Sequence, residues 1–534
     1  MAKTNTTQMI DVRQFKGLNT IDDPIALDPG ESPYIVNMDI TKTAAMQTRF
    51  GYELVSTMPA PGPMRGLLTY YRTYDTNPGD YLILFHSNGN SYYITNASST
   101  PVLIGAYGTD GGMVRGTVFN NLAIFGNGLP ANTVKKWDRT AMANLGGVPP
   151  AANLFGTFGK RLWCNDTQAP TTAYYSEVDD PDTGIGTNII NVNVGDGQSV
   201  TSFVNNNDML QVLKENSIYA MKFSFDDTYA MTVPQLQDTV STQGGCYAPG
   251  SAQPVFGYTY YLSNKAFESY GPSEKRVVAD QPLGLSFKID PTIQNINFAQ
   301  KDIINSVFNE NRYICQVPIA TSTVPNYTLI YNENVKRRFG FDNWTVYTGI
   351  PALQFANFRD VNKRDQLYFV SHTDEKLYKF NTSFSDNGSG YDRIWRSKTF
   401  QFGERTRWKY IDIEGSMAEN TTIFIDINTD GIQASGTALN DQKITKANLV
   451  LSPTGEGYIG DNYIGDSYVG AAFVTGVAAM YKFKKRIYFN SDTNYGYQSW
   501  FQLRNQSEGQ GWKLNRYRLI FESESDVPTY AAAA

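Results

Sequence analysis

Leu82–Asn96, LILFHSNGNSYYITN, and Leu367–Asn381, LYFVSHTDEKLYKFN, align without a gap. Each holds about four strand residues, a polar turn and a second strand carrying Tyr. Asn88-Gly89 in the first turn is a strong hairpin signal, which predicts φ > 0 at both residues. Looser copies begin near Leu122, Arg161, Leu210, Thr259 and Arg312. The seven starts are spaced by 39 to 55 residues. That period suits four-stranded propeller blades of about 40–50 residues each. A single blade leaves faces and an edge uncovered, whereas a ring of blades packs face against face. Two successive β-sandwiches also give evenly spaced strands, but the long period and the repeated hairpin favour an all-β propeller of about seven blades.

Outward from the repeat, the chain divides into three parts. Residues 1–57 read as an extended N-terminal arm with Gly17, Pro24, Pro29 and Pro33 and no sustained period. Within it, Asp28-Pro29-Gly30 predicts a short helix over Glu31–Asn37. Met58–Pro63, MPAPGP, is a rigid linker into a propeller spanning 58–401. Residues 402–534 read as a C-terminal β-sandwich. Strands are expected at Lys409–Gly415, Thr422–Ile427, Ile432–Ser435, Arg486–Asn490, Ser499–Arg504 and Arg516–Glu522. Between them lies Gly455–Gly470, GEGYIGDNYIGDSYVG, where Tyr458, Tyr463 and Tyr468 recur every five residues. An odd period cannot keep one strand face buried, so this stretch reads as a Gly-rich loop whose tyrosines are candidate interface anchors.

The composition of this 534-residue chain agrees with a β-rich architecture. Charged residues make up 18% of it, against about 25% in an ordinary soluble domain. Its 35 Tyr and 30 Phe favour half-buried strands. Net charge is −6, so attraction to nucleic acid would have to be local. Three cysteines and two histidines exclude a disulfide framework and the usual zinc spacings. The cysteines read as structural thiols, buried or half-buried. No secretory leader is expected from MAKTNTTQMIDVRQF, and the apolar run Ala471–Met480 is too short to span a membrane.

Sites for chemistry are sparse. Asp426-x-Asn428-x-Asp430-Gly431 begins like a calcium loop, but Thr437 stands where the bidentate Glu belongs, so a polar hairpin turn is expected. Ser385-Asp386-Asn387-Gly388 approximates a glycosidase Asp-box turn, with Phe384 in the place of its Ser. It reads as a turn only. The acid pairs Asp179-Asp180 and Asp226-Asp227 read as solvated turns, and His86 and His372 as satisfied, partly exposed histidines at strand ends. Gly126-x-Gly128 lacks the helix start that a phosphate loop needs. No catalytic residue, metal or cofactor is assigned. The remaining candidates are basic: Lys336-Arg337-Arg338, Lys363-Arg364 and Lys482-x-Lys484-Lys485-Arg486, each able to meet phosphates or to guard a strand edge.

Several short stretches resemble virion structural proteins of tailed bacteriophages. They are Phe15-Lys16-Gly17-Leu18-Asn19-Thr20, Asp23-Pro24, Gly30-Glu31-Ser32, Asn37-Met38-Asp39 and Arg49-Phe50-Gly51-Tyr52. Gly159-Lys160-Arg161-Leu162-Trp163, Leu213–Tyr219, the Tyr-Ile-Gly repeats and Gly511-Trp512-Lys513-Leu514 are similar to later parts of that group. The resemblance implies a non-enzymatic subunit of a tail nozzle or tail-tube extension, of the packaged-DNA stabilisation type. It implies a homo-oligomeric, six-fold ring in the virion tail, between adjacent tail or head–tail adaptor proteins. Packaged DNA would pass through without sequence recognition, with contact to the host envelope at ejection. An aromatic-rich, charge-poor β protein suits lateral packing in such an assembly.

The rival reading is a receptor- or glycan-binding tail protein, with Trp163, Trp344 and Trp395 stacking on sugars. A cellular WD40-like scaffold lacks support, because the Gly-His and Trp-Asp blade markers are missing.

Overall fold

The computed structural model describes residues 7–72, 79–206, 209–222, 235–241, 244–271, 283–381, 383–418, 421–430, 442–445, 480–489 and 495–523. All seven hairpins read from the sequence appear as the second and third strands of seven consecutive four-stranded sheets. The first hairpin is Gly79–His86 with Asn90–Thr95, and the last is Asp365–Ser371 with Lys376–Phe380. Each sheet's first strand packs against the first strand of the next, and the seventh packs against the first. The result is a closed seven-bladed propeller with those first strands innermost.

Burial on both faces explains why second strands such as Gly79–His86 and Leu122–Gly126 carry unbroken apolar runs. Leu82 and Leu84 pack toward the seventh blade, against Leu353, Tyr368 and Val370. Ile83 and Phe85 pack toward the second blade, against Ala123, Phe125 and Trp137. Leu162 and Cys164 likewise face the second blade while Trp163 faces the fourth. A strand buried on both faces loses its polar alternation.

Polar side chains tie neighbouring blades together. Gln354 Oε1 accepts from Leu67 N at 2.9 Å, and Asn305 Oδ1 accepts from Phe355 N at 3.2 Å. Asn309 and Asn357 meet at 2.8 Å, and Asn206 Nδ2 donates to Gly257 O at 3.1 Å. Tyr70 and Tyr71 hydroxyls donate to Asn121 O and Asn357 O at 2.6 and 3.0 Å. Inner strands approach closely enough to require glycine: a Cβ on Gly66 would lie 2.2 Å from Val114 O. Replacing Gln354 by Ala would leave the buried Leu67 N–H without its acceptor, and the expected loss is about 1–3 kcal/mol in urea unfolding.

Asn88-Gly89 departs from expectation in one respect. Gly89 has φ 85, but Asn88 is not left-handed. Gly89 N donates to His86 O at 3.0 Å, so the glycine closes the turn at its fourth position. Paired left-handed residues occur instead between first and second strands: Asn120/Asn121, Gly159/Lys160, Phe256/Gly257 and Glu310/Asn311. Two-residue turns with φ > 0 at both positions match strand twist, and that is where the blades need them.

The N-terminal segment is extended, and its strands pair with distant parts of the chain. Tyr52–Thr57 is the fourth strand of the seventh blade, beside Lys376–Phe380. Thr7–Val12 pairs antiparallel with Trp512–Ser523. The helix expected over Glu31–Asn37 is absent; Glu31–Ser32 and Ile35–Val36 are short strands. Gly17-Leu18 pairs with the former and Ile394-Trp395 with the latter. Ser32 Oγ also donates to Arg396 O at 2.6 Å, so distant partners overrode the local helix cue.

The chain folds into two compact units: Leu54–Ile330 with Gly349–Phe380, and Met1–Glu53 with Tyr331–Thr348 and Asn381–Ala534. The second unit carries an eleven-stranded network. Its long strand Phe400–Ala418 pairs with Tyr495–Asn505 near its start, then with Trp512–Ser523 and Met480–Tyr488 on its two sides. Trp395 and Phe501 meet Tyr517 with ring centroids 5.6 and 5.2 Å apart, and Phe15 caps the group at 5.5 Å from Trp395. These four aromatic side chains are buried and form part of the core of this unit. The strands expected at Lys409–Gly415, Thr422–Ile427, Ser499–Arg504 and Arg516–Glu522 lie within longer ones. Ile432–Ser435 lies outside the described residues.

Candidate functional site

Lys336, Arg337 and Arg338 occupy the last turn of the helix Glu333–Phe339, which ends on Gly340 at φ 81. Cations there complement the helix dipole. Lys336 Nζ lies 2.8 Å from Asp342, and Arg337 Nε lies 3.0 Å from Glu333 one turn earlier. Arg338 donates to Lys42 O at 3.4 Å and lies over the Phe339 ring. This cluster is therefore a helix terminus, not a strand end, and its first two cations are matched by carboxylates.

The second cluster lies on the strand Met480–Tyr488, whose side chains alternate. Lys484 and Arg486 are exposed on one face, while Lys485 is half-buried on the other beside Phe483 and Ile487. Four neighbouring strands carry a charge ladder across that exposed face. Asp11, Arg518, Asp412 and Arg486 are register partners in one row, and Arg516, Glu414 and Lys484 in the next. Arg486 Nε is 2.7 Å from Asp412, and Lys484 Nζ is 3.6 Å from Glu414. Arg518 reaches Glu414 at 2.9 Å, and Arg516 reaches Asp11 at 2.6 Å. The hydrogen bond from Arg516 holds the Asp11 carboxyl below its ordinary range, and Asp412 holds the Arg486 guanidinium above its own. Direct cross-strand pairs of opposite sign are favourable, and here three carboxylates offset all but one of the four cations. Arg486 also stacks 3.8 Å from the Tyr410 ring centroid. Lys363 binds Asp80 at 2.6 Å.

Tyr458, Tyr463 and Tyr468 lie outside the described residues, as do Asp226-Asp227. Trp163, Trp344 and Trp395 have no exposed surface, so none can stack on a sugar from solution. His86 is fully buried, not partly exposed: its Nδ1 accepts from Asn88 N at 3.0 Å. Burial lowers the pKa of His372. All three cysteines are buried, and burial raises each thiol. Asp426 is engaged by Arg504 at 2.8 Å, and Asp430 accepts from Tyr497 N and Gln498 N, so the calcium-like run works as strand and turn.

One constellation escaped sequence reading. Asp386, expected only as a turn residue, receives Arg49 in a bidentate pair at 2.8 and 2.6 Å. Their side chains are 8% and 1% exposed. Arg49 Nε also donates to Asn37 Oδ1 at 2.8 Å. Arg49 and Arg393 both lie 3.9 Å from the Tyr391 ring centroid. The partners are 337 residues apart, and no local signal joins them.

No protein-family model and no curated protein matches the sequence. Among solved structures, the chain is similar to PorZ, a surface component of the type-IX secretion system of Porphyromonas gingivalis. The match has a TM-score of 0.36 and 12% identity, over 60% of this chain and 37% of that one.

Proposed function

We propose that this chain is a structural subunit of a bacteriophage tail nozzle or tail-tube extension, assembling as a ring that retains packaged DNA and conducts it during ejection. The observation that carries this reading is the pairing of the chain's own cations. Lys336, Arg337, Lys484 and Arg486, the side chains best suited to phosphates, each have a carboxylate within 4 Å. Cations already paired in this way displace few counterions from DNA, so a polyanion is held only weakly. The N-terminal resemblance supplies the virion context, and the buried tryptophans remove the stacking residues of the glycan-binding rival.

Purified full chain should form closed rings by mass photometry, and particles lacking it should lose DNA or carry incomplete tails. A monomer, together with intact DNA-filled particles in its absence, would overturn the reading. In filter binding at physiological salt, the native chain should not retain duplex DNA. The double variant Asp412→Asn, Glu414→Gln unmasks the ladder's cations and should retain it, with log K falling by about 0.9 per log unit of salt for each phosphate neutralised. Strong retention by the native chain would contradict a sliding surface.

A further inference from the structure

The charge ladder of the second unit lies on four strands whose two margins are open. Among the described residues, Thr7–Val12 pairs only with Trp512–Ser523, and Met480–Tyr488 only with Phe400–Ala418. Each bordering strand can therefore offer backbone N–H and C=O groups to a further strand. The four strands run antiparallel in turn, so the first and the last point in opposite directions. A copy of Thr7–Val12 laid beside Met480–Tyr488 would continue the same antiparallel order.

Three neighbouring rows across these strands decide what fits there. The first reads Asp11, Arg518, Asp412, Arg486 and alternates in sign from one margin to the other. Within it, Asp412 has a cation on each side, Arg486 at 2.7 Å and Arg518 at 3.6 Å. Asp11 and Arg486 stand at the two ends and carry opposite signs. The second row, Ile10, Leu519, Ile411, Ile487, is apolar throughout and lies on the inner face. The third, Met9, Ile520, Tyr410, Tyr488, lies on the outer face. Its two ends, Met9 and Tyr488, are 57% and 60% exposed.

One antiparallel register suits all three rows at once. Setting Arg486 opposite Asp11 of a second copy also sets Ile487 opposite Ile10 and Tyr488 opposite Met9. Opposite charges and apolar pairs directly across from one another are the favourable cross-strand combinations. A slip of one residue would set Arg486 against Ile10 or Val12 and exchange the two faces. A slip of two would set it against Met9 or Arg13. The pattern therefore matches this margin to its own opposite margin, in a single register.

We propose that copies of this chain join head to tail through these margins, with Thr7–Val12 of one copy added as a strand to Met480–Tyr488 of the next. The two surfaces differ, so the contact is heterologous and can repeat until it closes a ring. This inference rests on the ring assembly of the nozzle reading and names the surface that makes it.

Met9→Cys and Tyr488→Cys are made singly and together in the full chain, whose native cysteines are all buried. Under mild oxidation, the chain carrying both should give a ladder of covalent dimers, trimers and larger species on non-reducing gels. The two single variants, mixed, should give roughly tenfold more dimer than either alone, because the joint raises the effective concentration of unlike thiols only. Val361→Cys, at an exposed position of the seventh blade, should give no such excess with Tyr488→Cys. Rings seen by mass photometry without the mixed cross-link would overturn the joint and leave the nozzle reading standing. Self-cross-linking of a single variant as strong as that of the mixture would overturn the joint too, since like margins would then meet. A cross-linked ring whose absence leaves particles complete and full of DNA would support the joint and sink the nozzle reading. A chain that stays monomeric would overturn both. Should a cysteine variant fail to fold, hydrogen exchange of the native chain decides: protection of Thr7–Val12 and Met480–Tyr488 should rise together as rings form, and unchanged exchange would overturn the joint.

Discussion

Asp386→Ala is expected to destabilise the second unit by about 3–5 kcal/mol, because it strands a buried guanidinium. Arg49 is 1% exposed at its side chain, and Asp386 supplies both of its carboxylate bonds. Its other contacts, to Asn37, the backbone oxygens of Phe50 and Thr348 and the Tyr347 and Tyr391 rings, hold the charge in place without neutralising it. Removing both ends gives a different outcome. Arg49→Met with Asp386→Leu replaces a desolvated pair by apolar volume and should recover a large part of the single-variant loss. Chemical denaturation of the two single variants and the double one measures the coupling. Additive losses would show that the pair acts as two independent residues. Arg393 lies against the Tyr391 ring as well, so its mobility should rise together with that of Arg49 in Asp386→Ala.

The second large effect concerns the N-terminal segment. A chain beginning at Met58 would be harmless if residues 1–57 were a detachable arm. Here it removes the fourth strand of the seventh blade and the strands that pair with Trp512–Ser523. Two sheets then present open edges, which template pairing with other chains. The lost interactions are comparable with the whole stability margin of about 5–15 kcal/mol. The expected result is aggregated or degraded protein on expression, read by size-exclusion chromatography. Soluble truncated protein with an unchanged melting temperature would contradict the strand assignments.

These two effects mark what the sequence could and could not disclose. The propeller was legible because each blade is local: its second hairpin closes within about twenty residues and repeats seven times. The double-sided burial of Leu82–Phe85 reinforced it with a run of apolar residues. Glu31–Asn37 misled for the opposite reason. Its strands are two residues long and paired to residues as far away as Ile394-Trp395, so only the helix-like Asp28-Pro29-Gly30 cue was visible locally. Asp386 was hidden in the same way by sequence distance. The basic clusters are plain in the sequence as cations, but their charge partners sit on other strands, and a linear reading has no register with which to pair Asp412 with Arg486. The use of asparagine as a tie between blades, as at Asn309 and Asn357, needs the ring.

The pairing of Thr7–Val12 with Trp512–Ser523 sets an order of events during synthesis. The earlier strand waits for residues made roughly five hundred positions later. At about 5–20 residues per second, that interval is on the order of half a minute to two minutes. Blades one to six can form as they emerge, the seventh closes once Phe380 has left the ribosome, and the first strand finds its place only when the last is finished. A prematurely terminated chain would therefore expose its unpaired early strands to chaperones and proteases.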